Sequence, residues 1–94
     1  MRQGQLDQTW YFYIVRCRDN TLYSGSTNDL EDRVREQNRG TGAKYTRARR
    51  PVNLVYSEKC GDVSRARKRE EQVKRWPKVK KELLIVGFPR LRSE

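Results

Sequence analysis

Residues 10–17, Trp-Tyr-Phe-Tyr-Ile-Val-Arg-Cys, most restrict what this chain can fold into. The run is aromatic and β-branched, which reads as a strand. Trp10, Phe12 and Ile14 fall on one side, and Tyr11, Tyr13 and Val15 on the other. A strand apolar on both faces suits a central position, covered on both sides. Arg18, Asp19 and Asn20 are turn chemistry, and residues 21–25 read as a second strand antiparallel to the first. The loop length then decides a matter of function. A two-residue turn sets Tyr13 opposite Ser26 and Tyr23 opposite Arg16, which places the two tyrosines on opposite faces. A three-residue loop pairs Tyr13 with Gly25 and Val15 with Tyr23, so both tyrosines share a face. A joint role for the two requires the odd-numbered loop or a bulge.

The rest of the chain follows in order. Ser26, Thr27, Asn28 and Asp29 are N-cap candidates for a helix running to about Asn38, with Leu30 and Val34 as its core contacts. Gly40 and Gly42 end it. Residues 43–51 read as a loop, residues 52–56 as a third short strand, and Gly61-Asp62 as a turn and cap. A long helix is expected over residues 63–76. Pro77 suits the first turn of a further helix bearing Val79, Leu83 and Leu84. The order is β-β-α-β-α-α, an α+β domain on a small three-stranded sheet. The 94 residues make one domain the natural division: residues 1–9 a flexible N-terminus, 10–85 the domain, and 86–94 a C-terminal tail.

Charge narrows the function. Twenty-two Lys and Arg against twelve Asp and Glu leave a net charge of +10, which points to nucleic acid before an anionic membrane surface. No apolar run reaches the roughly 20 residues of a spanning helix, and residues 1–8 are too polar for a secretory signal. A cytoplasmic protein without a membrane partner is therefore expected. Cys17 and Cys60 stand in no metal-ligand spacing, and the chain has no histidine, so zinc is excluded. Acid–base chemistry must fall to Tyr, Lys, Glu or Asp.

Four kinds of residue carry chemistry in this pattern. Val63, Ala66, Glu70 and Val73 share one face of the long helix. A carboxylate on that stripe needs a partner: Lys74 at i+4, or a divalent ion, since Mg²⁺ needs only one or two carboxylates and keeps several waters. Arg33 flanks the core contacts of the first helix, and its planar fork suits a phosphate. Gln37 shares its face at i+4. A hydroxyl of Tyr13 or Tyr23 can polarise a water or accept its proton, whereas Tyr11 fits packing or a supporting role. Lys44, Tyr45, Arg47, Arg49 and Arg50 set cations around an aromatic ring, and no acid occurs between Glu36 and Glu58. That is the composition of a nucleic-acid-contacting strip.

In this order and spacing the segments resemble the GIY-YIG nuclease superfamily, in its small stand-alone bacterial branch. Tyr11-Phe12-Tyr13 is similar to the first motif and Tyr23-Ser24-Gly25 to the second. Residues 29–33 resemble the arginine helix, residues 42–47 a segment of the stand-alone branch, and residues 66–70 with Val73-Lys74 the metal-glutamate helix. The resemblance implies a central three-stranded antiparallel sheet flanked by helices and one-metal hydrolysis of DNA. It implies that Glu70 holds Mg²⁺ or Mn²⁺ and that Arg33 holds the scissile phosphate. Tyr13 would then serve as base, with Tyr23 assisting. Gly25 is the motif glycine. The family often has histidine where this chain has Gln37, which cannot shuttle a proton near neutral pH. Some relatives carry a charged group where Ser26 stands. These departures leave room for slow catalysis or for help from a protein partner. The expected function is a structure-selective DNA endonuclease of repair or recombination. The alternative is a protein on the same fold that binds DNA, or RNA, without cutting.

Overall fold

The computed structural model describes residues 9–87. Its elements are β1 (Tyr11–Cys17), β2 (Leu22–Thr27), α1 (Leu30–Arg39), α2 (Lys44–Arg47), β3 (Val52–Lys59), α3 (Val63–Lys74) and α4 (Lys78–Gly87). The three strands form an antiparallel sheet in the order β2-β1-β3, so β1 is central as its two apolar faces require.

The three-residue loop is the one found. Cys17 N–H donates to the Thr21 carbonyl at 2.8 Å, closing residues 18–20 between the strands. Asn20 sits at φ 71°, a left-handed conformation that asparagine tolerates. The register follows: Tyr13 pairs with Gly25 and Val15 with Tyr23. Tyr13, Val15, Cys17 and Val52 then form one half of the core, closed by Tyr23 and by Leu30 and Val34 of α1. Phe12, Ile14, Tyr56 and Val73 form the other half, closed in part by Trp76, Leu84 and Ile85.

Caps place the helices. Asp29 accepts from Asp32 N–H and starts α1, and Gly40, at φ 88°, ends it. Asp62 does the same for α3 through Arg65 N–H. The Asn38 side chain spans the gap between α1 and β3. It donates to the Val52 carbonyl at 3.0 Å and accepts from Val52 N–H at 2.7 Å.

Three boundaries differ from expectation. β2 continues to Thr27 and β3 to Lys59, because both pair with β1 as far as Tyr11. The expected loop over residues 43–51 contains the single turn α2, anchored by the fully buried Thr46. Of the tail expected over residues 86–94, the structure describes Val86 and Gly87, both within α4. Leu84 and Ile85 pack on the core. The expected N-terminal segment at residues 1–8 and the rest of the tail lie outside the described residues. Among the described residues no helix is long and apolar enough to cross a membrane.

Asn38→Ala removes both bonds to Val52. The expected loss is about 1–2 kcal/mol, read as a lower urea midpoint with unchanged m-value. An unchanged midpoint would show that α1 is not tied to β3 in this way.

Candidate active site

The edge strand β2 is the spine of the site. Successive residues of a strand point to opposite faces, so Tyr23 and Gly25 face α1 while Ser26 faces α3. Tyr13 lies over Gly25 from the neighbouring strand. A Cβ at residue 25 would stand 2.5 Å from the Tyr13 hydroxyl, so only glycine leaves room for the ring.

From the α1 side, Leu30 and Val34 seat the helix, and this brings Arg33 to the β2 edge. Arg33 Nη1 donates to the Ser26 carbonyl at 3.1 Å and to Tyr13 Oη at 3.4 Å. Its Nε lies 3.5 Å from Glu36. Burial alone would pull this guanidinium's pKa down. The Tyr13 hydrogen bond and the nearby Glu36 outweigh it, and the net shift is upward, so the group stays charged. One turn on, Gln37 is buried, and its Nε2 donates to Tyr13 Oη at 3.2 Å. The Gln37 Oε1 is buried without a partner. Two donors thus meet the Tyr13 oxygen and turn its own proton away from both.

From the α3 side, Ser26 Oγ donates to Glu70 Oε1 at 2.9 Å, and Lys74 Nζ stands 3.0 Å from Glu70 Oε2. The Lys74 pair at i+4 is therefore present. It does not close the carboxylate off, because the Glu70 side chain keeps 19% exposure. Tyr23 lies close enough to both sides to feel each charge. Burial pushes its hydroxyl pKa up, Tyr13 and Glu70 add to the rise, and Lys74 and Arg33 oppose it. Tyr23 is thus a protonated phenol at neutral pH.

Tyr13, Tyr23, Arg33, Gln37 and Glu70 meet around one edge, with Ser26 as the link. Its carbonyl takes the arginine and its hydroxyl takes the glutamate. Tyr11 stands opposite Thr27 at the start of β1, outside this set of contacts. The sequence marks Ser26 as an N-cap candidate and as a departure from some relatives, and Lys74 as one possible partner of Glu70; it does not show the bond between Ser26 and Glu70. The missing signal was the register, which aims Ser26 at α3.

The expected nucleic-acid strip is more divided. Tyr45 stacks on Tyr23, with centroids 5.6 Å apart, and the Arg49 guanidinium lies 4.0 Å over its ring. Arg49 also reaches the Tyr45 carbonyl at 2.8 Å and Asp19 at 3.2 Å. Arg50 donates to the carbonyls of Arg47 and Asn38. Arg49 and Arg50 therefore hold this segment together. Lys44 and Arg47 are exposed.

The donors suit a hard cation. No cluster of three or more His, Cys, Asp or Glu among the described residues could hold a metal ion. Glu70 and the Ser26 hydroxyl offer oxygen ligands, which fits Mg²⁺ or Mn²⁺ with water completing the shell and fits zinc poorly.

Comparison with known proteins gives the family. A model of the GIY-YIG catalytic domain matches residues 9–82. A UPF0213 protein of Bacillus pumilus is 49% identical over 75 residues, covering 80% of this chain and 76% of its own. One of Staphylococcus saprophyticus is also 49% identical over 75 residues, with 80% and 92% covered. Among solved structures, a protein of E. faecalis matches with TM-score 0.58 and 41% identity over 84% of each chain. A UPF0213 protein of Bacillus halodurans matches with TM-score 0.54 and 37% identity over 83% of each.

Two raised tyrosines, Tyr23 in the site and Tyr56 in the other half of the core, give the fold an alkaline signature. Burial and the bond to Glu58 push Tyr56 up to about 12, and Tyr23 moves the same way. A group whose folded pKa is raised contributes full stability below its unfolded value, near 10 for tyrosine. That contribution is lost as pH climbs through the folded value. Urea midpoints should fall between pH 9 and 12, and less steeply in Tyr23→Phe and Tyr56→Phe. Identical slopes in all three proteins would contradict the assignment.

Proposed function

The chain belongs to the GIY-YIG catalytic domain family, and on that premise we propose that it is a divalent-metal-dependent endonuclease that hydrolyses the phosphodiester backbone of DNA. The observation that carries the reading is the double use of Ser26. A phosphate-binding arginine and a lone carboxylate of oxygen-ligand chemistry are fixed to the two oxygens of one residue.

Each side chain has a task consistent with its contacts. Arg33 meets Ser26 and Tyr13 through Nη1, which leaves Nη2 to take a non-bridging oxygen of the scissile phosphate and the charge that develops there. Tyr13, its oxygen fixed by Arg33 and Gln37, orients the attacking water; it gives up its own phenolic proton to solvent and, as the phenolate, takes the proton of that water. Tyr23, held as a phenol, donates to the water or the phosphate. Glu70 and Ser26 would hold Mg²⁺ or Mn²⁺. The ion, when bound, supplies charge for the leaving oxygen. Lys44, Arg47 and the basic segment around Tyr45 draw the DNA backbone in by charge. A domain of 94 residues has little surface for reading bases, which favours selection of branched, nicked or single-stranded structures, as in cytoplasmic repair or recombination.

A second reading has one observation behind it. Lys74 sits where a cation would, so the fold could bind nucleic acid without cutting. Incubation of nicked, branched and single-stranded DNA with Mg²⁺ or Mn²⁺ separates the two. The nuclease cuts, Arg33→Ala slows it about 10²–10³-fold, and Glu70→Ala abolishes metal-dependent cutting while DNA binding persists. Salt-sensitive binding by wild type with no cleavage under either metal would establish the second reading instead. In the nuclease, Lys74→Met removes a competitor for the carboxylate. An exposed i,i+4 pair is worth up to ~1 kcal/mol, so Mn²⁺ affinity by calorimetry should rise about two- to fivefold.

A further inference from the structure

A second basic site lies away from the β2 edge. Arg18, Asn38, Arg47, Ala48, Arg50 and Pro51 line an open cavity of about 480 Å³. Three arginines line it, and no acidic residue does. Asp19, the nearest acid in sequence, is engaged elsewhere: it accepts from Thr21 and pairs with Arg49. Arg18 and Arg47 are exposed, and among the described residues their side chains have no hydrogen bond or ion pair. Like charges gathered without counter-charge repel one another, which suits a site completed by an anion.

The walls are built. Arg50 is held by the carbonyls of Arg47, at 2.7 Å, and Asn38, at 3.4 Å, which frees Nη2. Its Nη1 lies where a Cβ on Gly40 would come within 2.6 Å, so the glycine that ends α1 also makes room for it. Asn38 is clamped to β3 through both backbone groups of Val52. Arg18 N–H donates to the Arg49 carbonyl at 2.9 Å, tying the β1 end to this segment.

We propose that this arginine cavity binds a backbone phosphate of the same DNA strand, about two to five nucleotides from the scissile bond. The identity of the strand rests on the nuclease reading above. The spacing comes from the fold. Five residues of helix separate Arg33 from Asn38, a rise of about 7.5 Å. Five residues of β1 and its turn separate Tyr13 from Arg18, about 16 Å. One strand of duplex DNA advances about 3.4 Å per phosphate along its axis. Guanidinium forks match phosphate oxygens in pairs. With the strand gripped at two places, the cut falls at a set distance from a phosphate that must be present, whatever the bases.

The test measures binding of fluorescein-labelled single strands of 3 and 16 nucleotides to the full chain in EDTA, across a salt series. Wild type is compared with the double variant Arg18→Ala, Arg47→Ala, and far-UV circular dichroism checks that the variant is folded. On the 16-mer the variant should bind about tenfold more weakly at low salt. Its plot of log affinity against log salt should be shallower by about one. On the 3-mer, too short to span both sites at once, the loss should be smaller. Equal salt slopes on the 16-mer overturn the proposal. So does saturation of the Arg18 and Arg47 NMR signals by inorganic phosphate when the double variant binds the 16-mer like wild type, which marks a free-anion site. Failure of wild type to bind either strand sinks the nuclease reading as well. Cavity-dependent binding in EDTA, together with no cleavage once Mg²⁺ or Mn²⁺ is supplied, supports the cavity and removes only the nuclease.

Discussion

Pairing of Tyr13 with Gly25 is the constraint on which the rest of the site depends. The three-residue loop, closed with Asn20 in the left-handed region, sets that register. Shifting it by one residue would move every side chain of β2 to the other face. Tyr23 would leave Tyr13, and Ser26 would turn away from Glu70. Gly25 enforces the same register from within, because the Tyr13 ring occupies the space a side chain would need. A local backbone choice at Asn20 therefore decides whether two tyrosines, an arginine and a glutamate can meet.

The site encloses an edge strand rather than filling one face of the sheet. β2 has a free side, and Arg33 reaches the Ser26 carbonyl on that strand from α1 while Glu70 takes the Ser26 hydroxyl from α3. An exposed strand edge would otherwise invite pairing with another chain. Here polar side chains occupy part of it. The electrostatics are arranged in the same economical way. Lys74 neutralises Glu70, Glu36 lies beside Arg33, and Gln37 adds a neutral donor to the Tyr13 oxygen. Cations and anions therefore alternate around the edge, and Arg33, Tyr13 and Glu70 each have a polar partner in place.

Much of this was legible in the sequence because it rests on periodicity and caps. The two apolar faces of β1 required a central strand. The run of cap candidates from Ser26 to Asp29, and Asp62, marked the helix starts, and the stripe Val63, Ala66, Glu70, Val73 put a carboxylate against the core. What was not legible depended on tertiary pairing. Sequence spacing allowed two hairpin registers, and only the loop conformation chose between them. The role of Ser26 as a bridge followed from that choice. The turn α2 was hidden because four residues carry too little pattern, and its anchor, the buried Thr46, reads as a loop residue in isolation. The arginine cavity was hidden for a similar reason. Arg18 and Arg47 are far apart in the chain and meet only because β1, α1 and α2 end at the same place.

Glu70 and Ser26 at the β2 edge are proposed as the seat of a divalent ion beside Arg33 and the tyrosines, and paramagnetic broadening of amide signals by sub-stoichiometric Mn²⁺ reads that seat residue by residue. Ser26 and Glu70 should broaden first, with Tyr23 and Lys74 next, and Glu70→Ala should abolish the effect. Broadening centred on the acids Glu31 and Asp32 of α1 or on Asp62, or unchanged by Glu70→Ala, would contradict it.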